Sequence, residues 1–213
     1  MASKVTRLTG LLCELDDLLV ELGSPFSSYA LSRIDDDVID RALASSELAS
    51  YGLVVSTELR EWWRWHHGTR IDTSTTDRHA FGPGRWGINN LSVALAGIKR
   101  GLSGELPGEG WQRDWVPFAW KTFIDDRGRY EWRPDREAFL VGRLSESTGD
   151  ELCVGLWDSS GTYPQEPVAG SLAEVVSVMI DVLRDGRVVW DPSSGGRWVQ
   201  VSSLDGLPPY VWL

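Results

Sequence analysis

The chain has 213 residues, of which 42% are hydrophobic and 24% are charged, a balance that is typical of a soluble globular protein. Its 31 acidic and 21 basic residues give a net charge of −10, which disfavours general nucleic-acid binding because phosphates repel a polyanion. No uncharged apolar run approaches the roughly 20 residues of a membrane span. The leucine-rich segment 8–22 contains four acidic residues, so we expect a helix of a cytoplasmic protein there and no signal peptide.

Three helices are predicted in the first third of the chain. Leucines at helical spacing predict the first from about Thr6 to Leu22. The second is expected at Asp35–Leu48, where three leading aspartates suit the positive end of a helix. Ser56 is a favourable N-cap for the third, and Gly68 is expected to follow its end in the C′ position.

Strand-forming residues dominate after residue 110. Residues 69–87 are predicted as loop, and residues 90–100 as a short helix. Aromatic and β-branched residues are concentrated in four segments, which we predict as strands: Trp115–Phe123, Arg129–Trp132, Ala138–Leu144 and Glu151–Trp157.

A capping box, Ser171 with Glu174, begins the clearest helix of the sequence, which Gly186 ends. A hairpin is predicted after it, at 187–191 and 197–201. Helices first, strands next and one helix afterwards predict an α+β fold, not an alternating α/β fold.

Several short segments match the sequence motif of a binding site but lack the structural context that such a site requires. Gly82 to Gly87 has the spacing of a dinucleotide fingerprint, but polar residues precede it and Pro83 has no amide to donate. All three histidines, His66, His67 and His79, lie in one window, yet neighbouring helical residues diverge by roughly 100° and would not share an ion. We expect no metal and no cofactor, and we keep a metal or small-ligand site at these histidines as an alternative.

No pattern in the sequence predicts catalysis. Cys13 and Cys153 are far apart and are expected to be buried thiols. A Gly-x-Ser-x-Gly motif is absent, and the paired acids occur at turns or strand ends, where acids are common. We therefore expect a protein that is not an enzyme.

Acidic residues are concentrated in one part of the chain. Residues 144–186 contain eight acidic residues and one basic residue. Such a field would attract a basic protein partner, and Asp150, Glu151 and Asp158 are our candidates for the contact surface. Solvation of turns is the alternative explanation for these three acids.

Four segments, in their order along the chain, resemble the SUKH superfamily, which groups bacterial toxin-immunity proteins with a fungal cell-wall-synthesis regulator. They are Glu47 to Gly68, Trp115-Val-Pro-Phe-Ala, Gly149-Asp-Glu-Leu-Cys-Val and Val168-Ala-Gly-Ser-Leu-Ala-Glu-Val-Val. The residues of these motifs to which we assign a structural role are Glu47, Gly52, Trp62, Gly68, Trp115, Pro117, Gly149, Asp150, Ser171 and Leu172.

The chain departs from the superfamily pattern at three points. Ser56 replaces the usual proline, and His67-Gly68 replaces Asn-Gly. About thirty residues separate Pro117 from Gly149, which predicts an insertion near residues 121–137. We divide the chain into an N-terminal helical appendage (1–33), a SUKH-like domain (34–186), and a hairpin and tail (187–213) packed on that domain.

The resemblance implies a curved, largely antiparallel sheet flanked by helices, and a role in binding without catalysis. Immunity proteins of this superfamily neutralise a cognate toxin by direct contact, so we expect one protein partner, a basic and nucleic-acid-directed toxin. The alternative that the resemblance leaves open is a regulatory scaffold of the cell-wall-regulator kind. No catalytic residue is carried over from the superfamily.

Overall fold

The computed structural model describes residues 6–70, 80–103, 111–121, 138–144, 149–159, 167–193 and 195–211. These residues form six α-helices: α1 (Arg7–Glu21), α2 (Phe26–Tyr29), α3 (Asp36–Ala44), α4 (Thr57–Trp65), α5 (Leu91–Ser103) and α6 (Leu172–Arg184). They also form six strands: β1 (Trp86–Ile88), β2 (Trp115–Lys121), β3 (Ala138–Arg143), β4 (Val154–Asp158), β5 (Val188–Asp191) and β6 (Arg197–Gln200). Within the same described segments, two short 3₁₀ helices occur at Glu47–Tyr51 and Pro209–Val211.

The main sheet has four strands in the order β1-β2-β3-β4, and each neighbouring pair is antiparallel. A bulge shifts the register between Pro117 and Ala119 of β2. The predicted hairpin is present as a separate two-stranded sheet of β5 and β6. The α+β class predicted from the order of the elements, and the antiparallel sheet expected from the resemblance, are therefore confirmed.

Three of the predicted helix starts are confirmed by their caps. The hydroxyl groups of Thr6, Ser56 and Ser171 each accept a hydrogen bond from the backbone N–H three residues later, at 3.2, 3.3 and 3.1 Å. Each bond satisfies one of the N–H groups that a helix start leaves without an intrahelical acceptor. The carboxylate of Glu174 departs from the usual capping box, because it accepts the N–H of Gly170 at 2.9 Å.

Two predicted helix ends are wrong. Helix α3 ends at Ala44 and does not reach Leu48, because the hydroxyls of Ser45 and Ser46 hydrogen-bond backbone carbonyls three residues earlier. Helix α4 ends at Trp65, and Gly68 is not its C′ residue. Gly68 has a φ of +108°, and a Cβ at this position would lie 2.9 Å from the Cβ of Asn90. The glycine is needed for this close approach between segments.

The loop predicted at residues 69–87 is interrupted by β1, which begins at Trp86. The turn before it places Gly82, Gly84 and Arg85 at positive φ and pairs Phe81 with Trp86. Predicted strand Glu151–Trp157 begins later, at Val154. The predicted strand at 129–132 and the insertion near 121–137 lie outside the described residues, except for residue 121 at the end of β2.

One large hydrophobic core joins parts of the chain that the sequence assigned to different segments. Helix α1 buries Leu8, Leu12, Leu15 and Leu19 in this core and contacts both α4 and α6. Residues of the hairpin and tail, including Trp198 and Tyr210, belong to the same core. A smaller cluster contains Trp111, Trp115, Val141 and Trp157. Because Leu140 belongs to the main core and Val141 to the smaller cluster, the two clusters lie on opposite faces of the sheet.

The tryptophans serve as core residues throughout the part of the chain that the structure describes. Nine are buried and Trp120 is half-buried, so none of these ten presents an exposed ring. No helix in the described segments is long and apolar enough to cross a membrane.

Candidate functional site

A cleft of about 630 Å³ lies where four segments of the chain meet. These segments are the start of α1, one side of α4 along most of its length, the turn at 149–151 and the start of α6. The lining residues are Thr6, Arg7, Leu8, Thr57, Glu58, Glu61, Arg64, Asp150, Glu151, Ser171 and Ala173. The volume is within the range of roughly 300–1,000 Å³ that is usual for ligand sites. Four carboxylates against two guanidinium groups make this cleft acidic.

Glu58 holds the walls of the cleft together. Its side chain is buried, and its carboxylate accepts three backbone N–H groups, from Leu152 at 2.7 Å, Leu172 at 2.8 Å and Ala173 at 3.0 Å. Two of these donors belong to the first turn of α6, where the helix dipole favours a negative charge. Glu58 therefore fixes α4 to the start of α6 and to the segment before β4.

Asp150 and Glu151, two of the three predicted contact residues, lie at this cleft and are exposed. The backbone carbonyl of Asp150 accepts the N–H of Glu58 at 3.2 Å, and its Oδ1 accepts the Thr57 hydroxyl at 3.2 Å. These bonds fix the turn against the start of α4. The Glu151 side chain makes no hydrogen bond or ion pair with any described residue, so its charge faces solvent at the cleft.

Asp158, the third predicted contact residue, is not in this cleft. It is half-buried at the far end of β4, paired in register with Ala138. Asp158 lies four positions after Val154, which is roughly 13 Å along an extended strand, and the cleft lies before the start of β4. The structure therefore brings together only two of the three predicted acids.

Glu61 is the second buried carboxylate of the cleft, one helical turn after Glu58. It is 6% exposed, and its Oε2 accepts the hydroxyl of Thr6. Glu61 and Arg64 also line an adjacent cleft of about 330 Å³, between α1 and the segment that precedes α3. Glu61 thus lies at the junction of the two clefts.

Sequence reasoning missed both buried glutamates, although the helical pattern contains a signal for them. Glu58, Glu61, Trp62 and Trp65 occur at positions i, i+3, i+4 and i+7, which is the spacing of one buried helix face. All four are buried. Two acids on the same stripe as two tryptophans must have polar partners or line a cavity.

The histidine window does not form a metal site in the described residues, where no group of three metal-ligating side chains is present. Both ring nitrogens of His66 make hydrogen-bond contacts with other parts of the chain. Nε2 lies 3.3 Å from Asp16 Oδ1, and Nδ1 lies 3.3 Å from the carbonyl oxygen of Leu31. His67 is half-buried, and burial lowers its pKa. His79 lies outside the described residues.

The two cysteines differ in their surroundings. Cys153 is half-buried, and burial raises the pKa of its thiol, which disfavours the thiolate. Cys13 is exposed and lines the smaller cleft, so the prediction of a buried thiol is wrong at this position. It lies on the solvent side of α1, one residue after the buried Leu12.

The residues named for the resemblance differ in their burial and contacts. Trp62 is buried and its Nε1 donates to the carbonyl of Phe118 at 3.3 Å, and Leu172 is fully buried at the start of α6. Trp115 belongs to the smaller cluster, and the Pro117 ring lies against Gly97 of α5. The remaining glycines, Gly52 and Gly149, are exposed at turns, as is Glu47 in its 3₁₀ helix.

Comparison with known proteins leaves the family open. No family model matches the chain, and no curated protein is significantly similar to it. The function must therefore be inferred from the cleft itself. Its described lining consists of carboxylates, hydroxyl groups, two guanidinium groups and a few apolar side chains, which together suit the binding of a cationic group.

Proposed function

We propose that this chain is a non-catalytic protein-binding domain of the immunity-protein kind, which neutralises a basic, nucleic-acid-directed toxin by direct contact in the cytoplasm. The observation that carries the proposal is the position of Asp150 and Glu151, exposed and adjacent at the acidic cleft. The ordered segments that resemble the SUKH superfamily support the same class of function.

The charge distribution also supports a basic partner. The acidic segment 144–186 contributes the turn at 149–151 and the start of α6, two of the four segments that form the cleft. An acidic surface accelerates association with a basic protein and makes its rate dependent on salt. The partner would approach Glu151 first, because this carboxylate has no internal partner among the described residues.

The proposal is tested by capture of a partner and by neutralisation. Affinity capture from the source organism, followed by mass spectrometry, is expected to retain one dominant basic protein at near-equal stoichiometry. The activity of that protein on nucleic acid is expected to be lost when one equivalent of the chain is added. Several weakly retained proteins with no loss of activity would instead support the regulatory scaffold.

A matched pair of charge reversals locates the contact surface. Glu151→Lys is expected to slow association at low salt, because it reverses a charge at the cleft. Asp181→Lys makes the same change on an exposed residue of α6, nine positions after Leu172 and roughly 14 Å along the helix. Equal association rates for the two variants would contradict a partner surface at this cleft.

A further inference from the structure

Glu61 has fewer internal partners than Glu58, the other buried carboxylate of the cleft. The residue is 6% exposed, and its one hydrogen bond with a described residue is donated by the hydroxyl of Thr6 to Oε2. Within the described residues, Oε1 accepts no hydrogen bond and no basic nitrogen lies within 4.0 Å of either oxygen. A buried carboxylate normally has an ion pair or several hydrogen bonds, because removing its charge from water is costly. Glu58 meets that requirement with three N–H donors, whereas Glu61 has one donor among the described residues and its Oε1 is not fully enclosed by the protein.

The arginines of α4 do not compensate Glu61, because they bind aspartates of α3. Arg64 Nε donates to Asp36 Oδ1 at 2.5 Å, and Arg60 donates to Asp40 Oδ1 at 2.6 Å. Arg64 lies three residues after Glu61, a spacing that would allow an ion pair on the helix surface. Its pairing with Asp36 leaves the Glu61 carboxylate open to the cleft.

We infer that this cleft binds an arginine side chain of the partner protein, with the Glu61 carboxylate as its acceptor. The inference rests on the proposed function and adds the chemistry that the partner must present. Asp150 and Glu151 line the same cleft, so a cation would pass exposed carboxylates before it reaches the buried one. An aliphatic stem followed by a charged end fits such a path, because the stem can lie against Leu8 and Ala173.

Arginine fits these acceptors better than lysine does. A guanidinium group has five N–H donors in a planar fork, and it can donate to Glu61 and to other cleft oxygens at once. The ammonium group of lysine has three donors around a point charge and holds its water more strongly. The separated acceptors of Glu61, Thr57 and Asp150 therefore favour the guanidinium.

Short blocked peptides test the inference without the natural partner. ¹⁵N-labelled protein is titrated with acetyl-Gly-Arg-Gly-amide, with the lysine peptide, and with the citrulline peptide, which has the shape of arginine without its charge. We expect saturable shifts of the amides at 57–61, 149–152 and 171–173 with the arginine peptide, weaker shifts with lysine and none with citrulline. Equal shifts with citrulline, or no saturable shifts at these amides, would overturn the inference.

Variants assign the acceptor. Glu61→Gln is expected to weaken arginine-peptide binding by roughly tenfold or more, since it removes the buried charge and keeps the shape. Glu21→Gln removes an exposed charge near the other end of α1, roughly 20 Å from the cleft, and should bind as the wild type does. Wild-type affinity in Glu61→Gln would refute the role of Glu61. If that variant does not fold, Glu151→Gln at the exposed position provides the test, with a weaker loss expected and an unchanged affinity counting against the cleft.

The peptide titration and the capture experiment fail independently. Arginine-peptide binding in a chain that neutralises no partner would refute the proposed function and leave the cleft chemistry intact. A captured partner that binds Glu61→Gln and wild type with equal affinity would refute the arginine assignment and leave the proposed function intact.

Discussion

Replacement of Glu58 by glutamine is the substitution for which the structure gives the most definite expectation. In the native protein Oε2 accepts the N–H groups of Leu152 and Leu172, and Oε1 accepts the N–H of Ala173. Glutamine has the same shape but only one acceptor oxygen. Its NH₂ group must therefore face at least one backbone N–H, and two donors then oppose each other in a buried position.

The cost follows from these three bonds. If the amide oxygen takes the position of Oε2, one N–H loses its acceptor, which costs about 1–3 kcal/mol. The other two bonds remain but lose the charge of the acceptor, which costs about 1 kcal/mol each. We expect Glu58→Gln to lower the free energy of unfolding by about 3–5 kcal/mol.

Urea denaturation of Glu58→Gln, wild type and a control measures this loss as a shift of the midpoint at constant slope. Glu47→Gln is the control, because Glu47 is exposed and its side chain has no hydrogen bond to a described residue. We expect it to change stability by less than about 0.5 kcal/mol. Native-state hydrogen exchange should show faster exchange at the amides of Leu152, Leu172 and Ala173 in Glu58→Gln. A loss below about 1 kcal/mol, with these amides still protected, would refute the assignment of Glu58 as an anchor.

Three further predictions concern the core and the backbone. Burial, with a smaller contribution from a neighbouring guanidinium, lowers the pKa of Lys121 from 10.5 to about 8. The unfolded chain therefore binds more protons at this lysine between these values. The stability of wild type and of Lys99→Met, each taken relative to Lys121→Met, should rise from about pH 8 to 10.5, as measured by urea denaturation. Leu172→Ala, which leaves a cavity at a fully buried position, should lower the free energy of unfolding by about 2–5 kcal/mol in the same assay. A decrease below about 1 kcal/mol would contradict core packing at this position. Gly84→Ala should lower the melting temperature strongly, because φ is +83° and a Cβ at this position would overlap the backbone carbonyl oxygen of Tyr210. Gly10→Ala in α1, where an added Cβ has nothing within 4 Å, should instead raise stability by about 0.5–1 kcal/mol.

The sequence predicts those elements whose signals are local. Ser56 and Ser171 begin helices at the predicted positions because a cap depends on only a few neighbouring residues. The leucines of α1 and the apolar face of α6 predict burial correctly because their period is that of the helix itself. The hairpin of β5 and β6 is predicted from turn residues for the same reason.

Errors arise where distant contacts determine the local structure. Helix α4 ends three residues before Gly68, and the ring of His66 contacts Asp16 and Leu31, which lie 50 and 35 residues away in sequence. Strand β1 has only three residues and is held by pairing with β2, so its composition gives little signal. The exposure of Cys13 depends on which side of α1 faces α4 and α6, which only the tertiary packing decides.

The acidic residues show how far sequence reasoning reaches toward the site. A count of charges identified the acidic segment and its exposed Asp150 and Glu151, but it gave Asp158 equal weight although the length of β4 separates it from the cleft. Glu58 and Glu61 are one turn apart on the same buried stripe of α4, and from sequence they are equivalent. Only the fold distinguishes them, because the segment before β4 and the start of α6 bring three N–H donors to Glu58 and none to Glu61. Glu58, whose carboxylate accepts three backbone N–H groups, stabilises the fold. The carboxylate of Glu61 accepts none of these groups and lines a cleft, so it is available to a cation from outside the chain.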